Sequence, residues 1–225
     1  LEWMYEAAQE QGVRMTLAEF VDVWESSEPM EEERLKTRPA ARKITTETYP
    51  SAGRVAGGHA WRTLYHRSVV ENIRFDQTLH YAEDILFFTQ AVAKAGAYAY
   101  LDAPLYYYLK RSGSAMEQPF TMKQYDEMEG WKKAFASVQD QPEAMRRSVE
   151  ARLLTACAHV YYRMENSPYA DKGKLKAVYE EAQKHKKAWA GLSEQNLREK
   201  GKVWVLLHCP SLGSVIWCMG KKVKR

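Results

Sequence analysis

An acidic pair in front of an apolar helical run constrains this chain more than any other feature. Glu83 and Asp84 directly precede Ile85-Leu86-Phe87-Phe88, and apolar residues at 85, 88, 92 and 95 keep the spacing of one helix face. The pattern predicts a helix with both carboxylates in its first turn and its end at Gly96, a residue that commonly closes helices. The positive end of a helix stabilises ionised carboxylates. Two interpretations stay open: an ordinary helix cap, or a carboxylate that acts as a general base.

The residues after Gly96 predict a strand in two pieces. Ala97 to Asp102 alternates in the manner of a strand, Pro104 is expected to break it, and Leu105 to Lys110 resumes an extended, tyrosine-rich run. Consecutive tyrosines at 106, 107 and 108 place rings on both faces of such a strand. This suits a strand that is buried on one side and lines a cleft on the other, and simple packing is an equal alternative.

The first 50 residues add a helix followed by strands. Apolar residues at 1, 4, 5 and 8 predict a helix that Gly12 caps, and the alternation that begins at Val13 predicts a strand through Val23. Residues 25–43 are polar and predict a surface excursion, and Ile44 to Tyr49 is a short β-like run. A helix followed by a strand is the rhythm of an α/β domain.

Five short motifs between residues 61 and 114 occur in one order. They are Trp61-x-x-Leu64-Tyr65-x-Arg67, Arg74-Phe75, Glu83-Asp84, Leu105-Tyr106-Tyr107-Tyr108 and Arg111-x-Gly113-Ser114. Together they resemble the C-terminal, acceptor-side half of a bacterial family 2 (GT-A type) glycosyltransferase. The strong part of this resemblance covers about a quarter of the chain. Thr63 and Leu109 depart from it, because the family usually has Lys and Arg there, so phosphate contacts are not expected from these two positions.

The resemblance implies a reaction and a set of site residues. The parent enzyme would transfer a sugar from a nucleotide-diphosphate donor to a glycan or glycolipid acceptor, with inversion at the anomeric carbon. By position, Asp84 would be the base and Glu83 its neighbour. The implied substrate or diphosphate contacts are His59, Trp61, Tyr108, Arg111 and Ser114. The resemblance also implies an α/β remnant of a GT-A fold, with few strands and flanking helices.

The nucleotide-binding half that this family places upstream is not present in these 225 residues. Its acidic D-x-D-like metal motif is also absent, so no cofactor is assigned to this chain, and a divalent cation (Mg or Mn) is expected only for the full-length enzyme. The abrupt start at Leu1 suggests a fragment. This chain alone is therefore expected to be inactive, and a non-catalytic interaction or acceptor-binding module derived from the same fold is the alternative.

From residue 119 onward the chain is expected to be helical, which makes the whole chain helix-rich. Segments 121–139, 142–164 and 171–190 have helical spacing, and residues 149, 153, 156, 160 and 164 form one apolar stripe. The predicted domains are therefore 1–118 and 119–225. Residues 120–225 carry 20 Lys and Arg against 12 Asp and Glu, which indicates either a solvated helical surface or a polyanionic partner. No nucleic-acid reading motif occurs, so nucleic acid is not expected as a partner.

The last 23 residues, 203–225, combine apolar runs with a basic end. They are too short and too interrupted to span a bilayer, which needs about 20 apolar residues. Two interpretations remain equal: a peripheral contact with an anionic membrane surface, or an element that docks on the protein body or on a second copy in a homodimer. Three scattered cysteines predict reduced thiols and a cytoplasmic setting, on the inner face of the plasma membrane if the tail binds it.

Overall fold

A computed structural model describes residues 1–24, 37–50, 59–111, 118–192 and 197–212. Within these ranges the N-terminal part contains three α-helices and four strands. The helices are α1 (Glu2–Gln11), α2 (Arg67–Val70) and α3 (Glu83–Ala95), and the strands are β1 (Met15–Trp24), β2 (Ala41–Thr45), β3 (Thr63–Tyr65) and β4 (Ala97–Lys110). The predicted helix caps are confirmed, because Gly12 and Gly96 both adopt the left-handed conformation that closes α1 and α3.

The four strands form one mixed sheet in the order β2-β4-β1-β3. The central pair, β1 and β4, is parallel, and β2 and β3 run antiparallel to their neighbours. The sheet therefore has its two longest strands in the middle. Beyond residue 19 of β1 and residue 104 of β4, these two strands continue together as a two-stranded ribbon.

Two sequence predictions about strands were wrong in detail. Pro104 does not break the strand, because β4 runs without interruption through it and absorbs it at a β-bulge opposite Glu19. The β-like run was predicted from Ile44 to Tyr49. The observed strand β2 (Ala41–Thr45) is shorter, starts earlier and ends at Thr45. The hydroxyl of Thr45 accepts from the Thr48 amide at 3.2 Å, and that of Thr48 accepts from the Thr45 amide at 3.1 Å, so the chain turns there.

The C-terminal part is helical, as expected. It contains α4 (Asp126–Ala136), α5 (Glu143–Glu165), α6 (Lys172–Lys184) and α7 (Leu197–His208), with short 3₁₀ turns at Met122–Tyr125 and Lys186–Leu192. The predicted apolar stripe of α5 is buried, and so are Leu154, Ala158 and Tyr162 outside that stripe. Helix α5 is buried on several faces because α4, α6 and α7 all pack on it.

One hydrophobic core joins the sheet to these helices. Phe88 of α3 and Tyr98 of β4 belong to the same buried cluster as Met128 of α4 and Leu153 of α5. The fold-class prediction is confirmed: a small sheet with flanking helices is followed by a mainly helical region, and helix predominates. The division at residue 118 stays a prediction.

The described part of the tail docks on the protein body. In α7, Val203, Val205, Leu206 and Leu207 are buried, and Gln183 of α6 donates to the Leu207 carbonyl at 2.8 Å. Residues 203–207 therefore follow the docking interpretation, while residues 213–225 lie outside the described ranges. None of the helices in those ranges combines the length and the apolar character that crossing a bilayer requires.

Candidate active site

Asp84 lies at the partly exposed start of α3. Its side chain is 26% exposed, and its Oδ1 accepts a hydrogen bond from the Ile85 amide at 2.8 Å. This bond uses one of the amides that a helix leaves unpaired at its N-terminus, and the helix end stabilises the carboxylate in return. Glu83 is half-buried in the same turn. The carboxylate of Asp84 is thus held in place and still reaches solvent.

His59 lies next to Asp84. Nδ1 of His59 is 3.3 Å from Oδ2 of Asp84, although 25 residues separate them along the chain. The imidazole is 44% exposed. His59 directly precedes the 3₁₀ turn Ala60–Arg62, which holds Trp61, so this short segment carries both the residue that contacts the carboxylate and the tryptophan that stacks on it. The two oxygens of Asp84 therefore have different surroundings: the α3 backbone on one side and His59 on the other.

His59 also belongs to an aromatic cluster, whose members are Phe20, His59, Trp61, Tyr106 and Tyr108. Trp61 stacks on His59 with ring centroids 5.1 Å apart and on Tyr108 with centroids 5.1 Å apart. Tyr106 is at 4.4 Å from Trp61, and Phe20 meets Trp61 edge-on at 5.0 Å. Tyr106 remains 39% exposed. The predicted residues His59, Trp61 and Tyr108 are therefore brought together beside Asp84.

The ribbon of β1 and β4 places the tyrosines of this cluster. Phe20 pairs with Tyr106, and Asp22 pairs with Tyr108, so these side chains project from one face of the ribbon. Tyr107 projects from the other face and is 52% exposed. The three tyrosines therefore occupy two faces of one strand, as predicted.

A buried polar group fixes the turn that carries Trp61. Arg62 is only 2% exposed; its Nη1 donates to the Ala18 carbonyl at 3.1 Å and lies 3.5 Å from Oε1 of Glu19. The hydroxyl of Tyr100 donates to the same Glu19 oxygen at 2.5 Å. Burial, together with the neighbouring carboxylate, raises the pKa of Tyr100, which keeps the phenol protonated as a donor. Arg62 therefore anchors the Trp61 turn to β1, and Glu19 links it to Tyr100 of β4.

Sequence reasoning missed Arg62, Glu19 and Tyr100. The available signal was weak: an acidic residue in an apolar strand and an arginine next to the motif tryptophan. A buried charge needs a charged or hydrogen-bonding partner, so a glutamate within a buried strand predicts a partner such as an arginine or a tyrosine hydroxyl. Their pairing depends on a sheet register that spans 81 residues between Glu19 and Tyr100.

The two remaining predicted contact residues, Arg111 and Ser114, are not members of the aromatic cluster. Arg111 is exposed directly after β4, three residues beyond Tyr108. Ser114 lies outside the described residues. Thr63, which replaces the lysine usual in the family, uses its hydroxyl to donate to the His59 carbonyl at 3.3 Å. This bond closes the 3₁₀ turn locally.

The described residues do not form a complete metal site. Across residues 1–24, 37–50, 59–111, 118–192 and 197–212, no group of three or more His, Cys, Asp or Glu side chains could hold an ion. His59 and Asp84 supply two potential ligands. The described residues therefore do not fit a protein-only cage for a divalent cation, and we assign no step to one.

Cys157 and His159 lie two residues apart on α5 but differ in burial: Cys157 belongs to the core, whereas 30% of the His159 side chain is exposed. Cys157 is fully buried in α5, and burial raises the pKa of its thiol. Burial alone would lower the pKa of His159, but hydrogen bonds to Glu127 and Glu199 outweigh it and raise the pKa to about 9. His159 of α5 therefore joins α4 to α7.

No family model matches the chain, and no curated protein matches it. Among solved structures, the chain is similar to the crystal structure of S. aureus TarS 1–349 in complex with UDP-GlcNAc. The sequence identity is 14% and the TM-score 0.48, over 93% of this chain and 62% of the TarS chain. The chain thus spans about three fifths of the length of that structure.

Proposed function

We propose that this chain is the acceptor-side part of an inverting glycosyltransferase in which Asp84 is the general base. The five ordered motifs support this proposal from the sequence. The observation that carries it from the structure is the carboxylate of Asp84, which is 26% exposed and fixed between the α3 backbone and His59.

The chemistry requires a base for the acceptor hydroxyl. A sugar hydroxyl is a weak acid, so its proton leaves as the new C–O bond forms, and a positioned carboxylate is sufficient to receive it. In this reaction the acceptor oxygen bonds to the anomeric carbon, the bond to the donor diphosphate breaks, and the diphosphate leaves with the electron pair. Asp84 Oδ2 faces His59 at the protein surface and accepts the proton, while Oδ1 stays bonded to the Ile85 amide.

The aromatic cluster suits a sugar acceptor beside this base. Ring faces complement the C–H faces of pyranoses, and Tyr106 and Tyr108 also carry hydroxyls. Tyr106 is 39% exposed at the edge of the cluster, 4.4 Å from Trp61. In this proposal, Tyr106 and Trp61 orient the acceptor ring so that its hydroxyl points toward Asp84.

The donor side belongs to residues that precede this chain in the proposed whole enzyme. A divalent cation bound there would neutralise the diphosphate when present. Arg111, at the end of β4, is suited to bind the leaving diphosphate, because a guanidinium presents a fork of donors.

The test is Asp84→Asn in the protein that includes the upstream residues. We expect transfer from nucleotide-sugar donors to fall by about 10³-fold or more, since the amide cannot accept the proton; a positioned base contributes about 10²- to 10⁴-fold. The measurement is nucleotide release and product formation over a panel of donors. Asp140→Asn, which changes an exposed carboxylate in the turn before α5, is the matched control.

Two outcomes would contradict the proposal. Transfer that survives Asp84→Asn would show that another group takes the proton. Absence of any transfer by the unaltered protein would favour the non-catalytic acceptor-binding module.

A further inference from the structure

Helix α3 begins at a residue in a strained conformation. Ala82, the N-cap of α3, has φ = +66°, and it is the one non-glycine residue with positive φ in the described ranges. An alanine in this region costs of order 1 kcal/mol. The strain occurs directly before Glu83 and Asp84, so something must hold the chain in this conformation.

The entry loop, residues 76–82, is held by helix α4. The carboxylate of Asp126 accepts from the His80 amide at 2.8 Å and lies 3.0 Å from Nδ1 of the same histidine. Seven residues further along α4, Lys133 donates to Asp76 at 2.6 Å and to the Thr78 hydroxyl at 3.0 Å. Both contacts bridge elements that are more than 45 residues apart in the chain.

Gly130 lies between these two contacts and touches Ala82 itself. A Cβ added to Gly130 would come within 2.6 Å of the Ala82 Cβ and 3.1 Å of the Ala82 carbonyl oxygen. The contact is so close that only glycine fits it without a shift of the backbone. Gly130 therefore sets how near α4 approaches the start of α3.

Asp126, Gly130 and Lys133 form a single face of α4, because their spacing of four and then three residues returns to the same side of a helix. This α4 contact face meets the loop at its start, near its end and at its last residue. The opposite side of α4, with Met128 and Trp131, is part of the hydrophobic core. Helix α4 thus connects the core rigidly to the residue that precedes the acidic pair.

We infer that the α4 contact face positions Asp84 for proton transfer, so that Gly130 is a positioning residue of the candidate active site. The effect of Gly130 on proton transfer rests on the proposed function. Its effect on the position of Asp84 rests on the contacts of residues 76–82. A change of Gly130 should move the start of α3, and with it the Asp84 carboxylate, relative to His59.

The test compares two glycine-to-alanine changes in helices. Gly130→Ala introduces the close contact, whereas Gly201→Ala in α7 places a Cβ where no atom lies within 4 Å. Both changes improve intrinsic helix propensity by about 1 kcal/mol. In the full chain uniformly labelled with ¹⁵N, we expect Gly130→Ala to shift the His59 Nδ1 signal and the Glu83 and Asp84 amide signals, and Gly201→Ala to leave them unchanged.

A second change gives a rescue. Ala82→Gly removes the Cβ that Gly130→Ala would meet and also suits the positive φ. The double variant Ala82→Gly/Gly130→Ala should therefore return the His59 and Asp84 signals most of the way to their original positions. In the longer protein that carries the donor half, Gly130→Ala should lower kcat by about 10- to 100-fold with little change in the donor KM.

Three results would overturn the inference: unchanged His59 and Asp84 signals in Gly130→Ala, a loss of thermal stability without any change at these residues, or shifts of the same size in Gly201→Ala. The spectra decide the positioning question even if no sugar transfer is found. If the protein transfers sugar and Gly130→Ala does so at the original rate, the proposed function stands and the positioning role fails.

Discussion

Histidines in the two parts of the molecule contact carboxylates in different ways. In the sheet region, His59 is 44% exposed and faces the single carboxylate of Asp84. In the helical region, His159 lies between two carboxylates, with Glu127 at 3.2 Å and Glu199 at 2.7 Å. His185 is also held between two, with Glu150 at 2.9 Å and Glu181 at 3.3 Å.

The difference separates contacts inside the helical packing from a contact at the surface. A histidine that hydrogen-bonds to carboxylates on two helices stabilises their packing and leaves neither ring nitrogen for another partner. The contact between His59 and Asp84 lies at the surface, beside exposed aromatic rings, and is 3.3 Å long. Such a pair adds little to stability but is accessible to a ligand.

The largest expected difference in the free energy of unfolding is between a variant of a core residue and a variant of the candidate base. Leu153→Ala should lower the free energy of unfolding by about 2–5 kcal/mol, because Leu153 is fully buried in α5 and its removal leaves a cavity. Asp84→Asn should lower it by at most about 1 kcal/mol, the usual contribution of a charge at a helix end. Urea unfolding measures both, and Leu197→Ala, at an 87% exposed position, is the control. An Asp84→Asn change as costly as Leu153→Ala would show that Asp84 is structural.

A smaller, pH-dependent effect is expected at His159. His159→Gln should cost about 1–3 kcal/mol near pH 6, because hydrogen bonds to two charged groups are lost. The folded pKa of His159, about 9, is above the unfolded value of about 6.5, so its stabilising contribution is complete below about pH 6.5 and disappears as the pH rises through about 9. The measurement is the difference in unfolding free energy between the two proteins from about pH 6 to about pH 10.

The control for this experiment is His59→Gln. It should change stability by less than about 0.5 kcal/mol, as expected for an exposed pair. An equal cost for the two histidines would remove the distinction between the structural contact and the site.

The smallest difference in the free energy of unfolding is expected between variants of two exposed aromatic residues. Phe75→Ala should cost about 1 kcal/mol, because Phe75 stacks on the buried Phe87 of α3 with centroids 4.4 Å apart. Trp204→Ala should cost about 0.5 kcal/mol or less, because Trp204 stacks on His208 within the same helix. Both side chains are 48% exposed, so the pair is matched in burial. Thermal melts measure the two, and the reverse order would show that residues 71–82 contribute little to anchoring α3.

Local patterns in the sequence accounted for much of the fold. The helical spacing and the glycine stops of α1 and α3 were predicted because a helix end is decided by residues within one turn of it. The break expected at Pro104 was wrong for the opposite reason. Whether a proline ends a strand depends on the partner strand, and β1 accommodates Pro104 through a bulge opposite Glu19.

What the sequence by itself determined is the acidic pair at the start of α3, the caps of the helices and the apolar stripe of α5, since each depends on neighbours a few residues away. Only the tertiary structure decided that His59 reaches Asp84, that Arg62 is buried against Glu19, and that Gly130 touches Ala82. These contacts join residues 25 to 48 positions apart in the chain, and no spacing rule encodes them. They form because the core brings α3, α4 and the sheet together, and the geometry of the candidate site results from that packing.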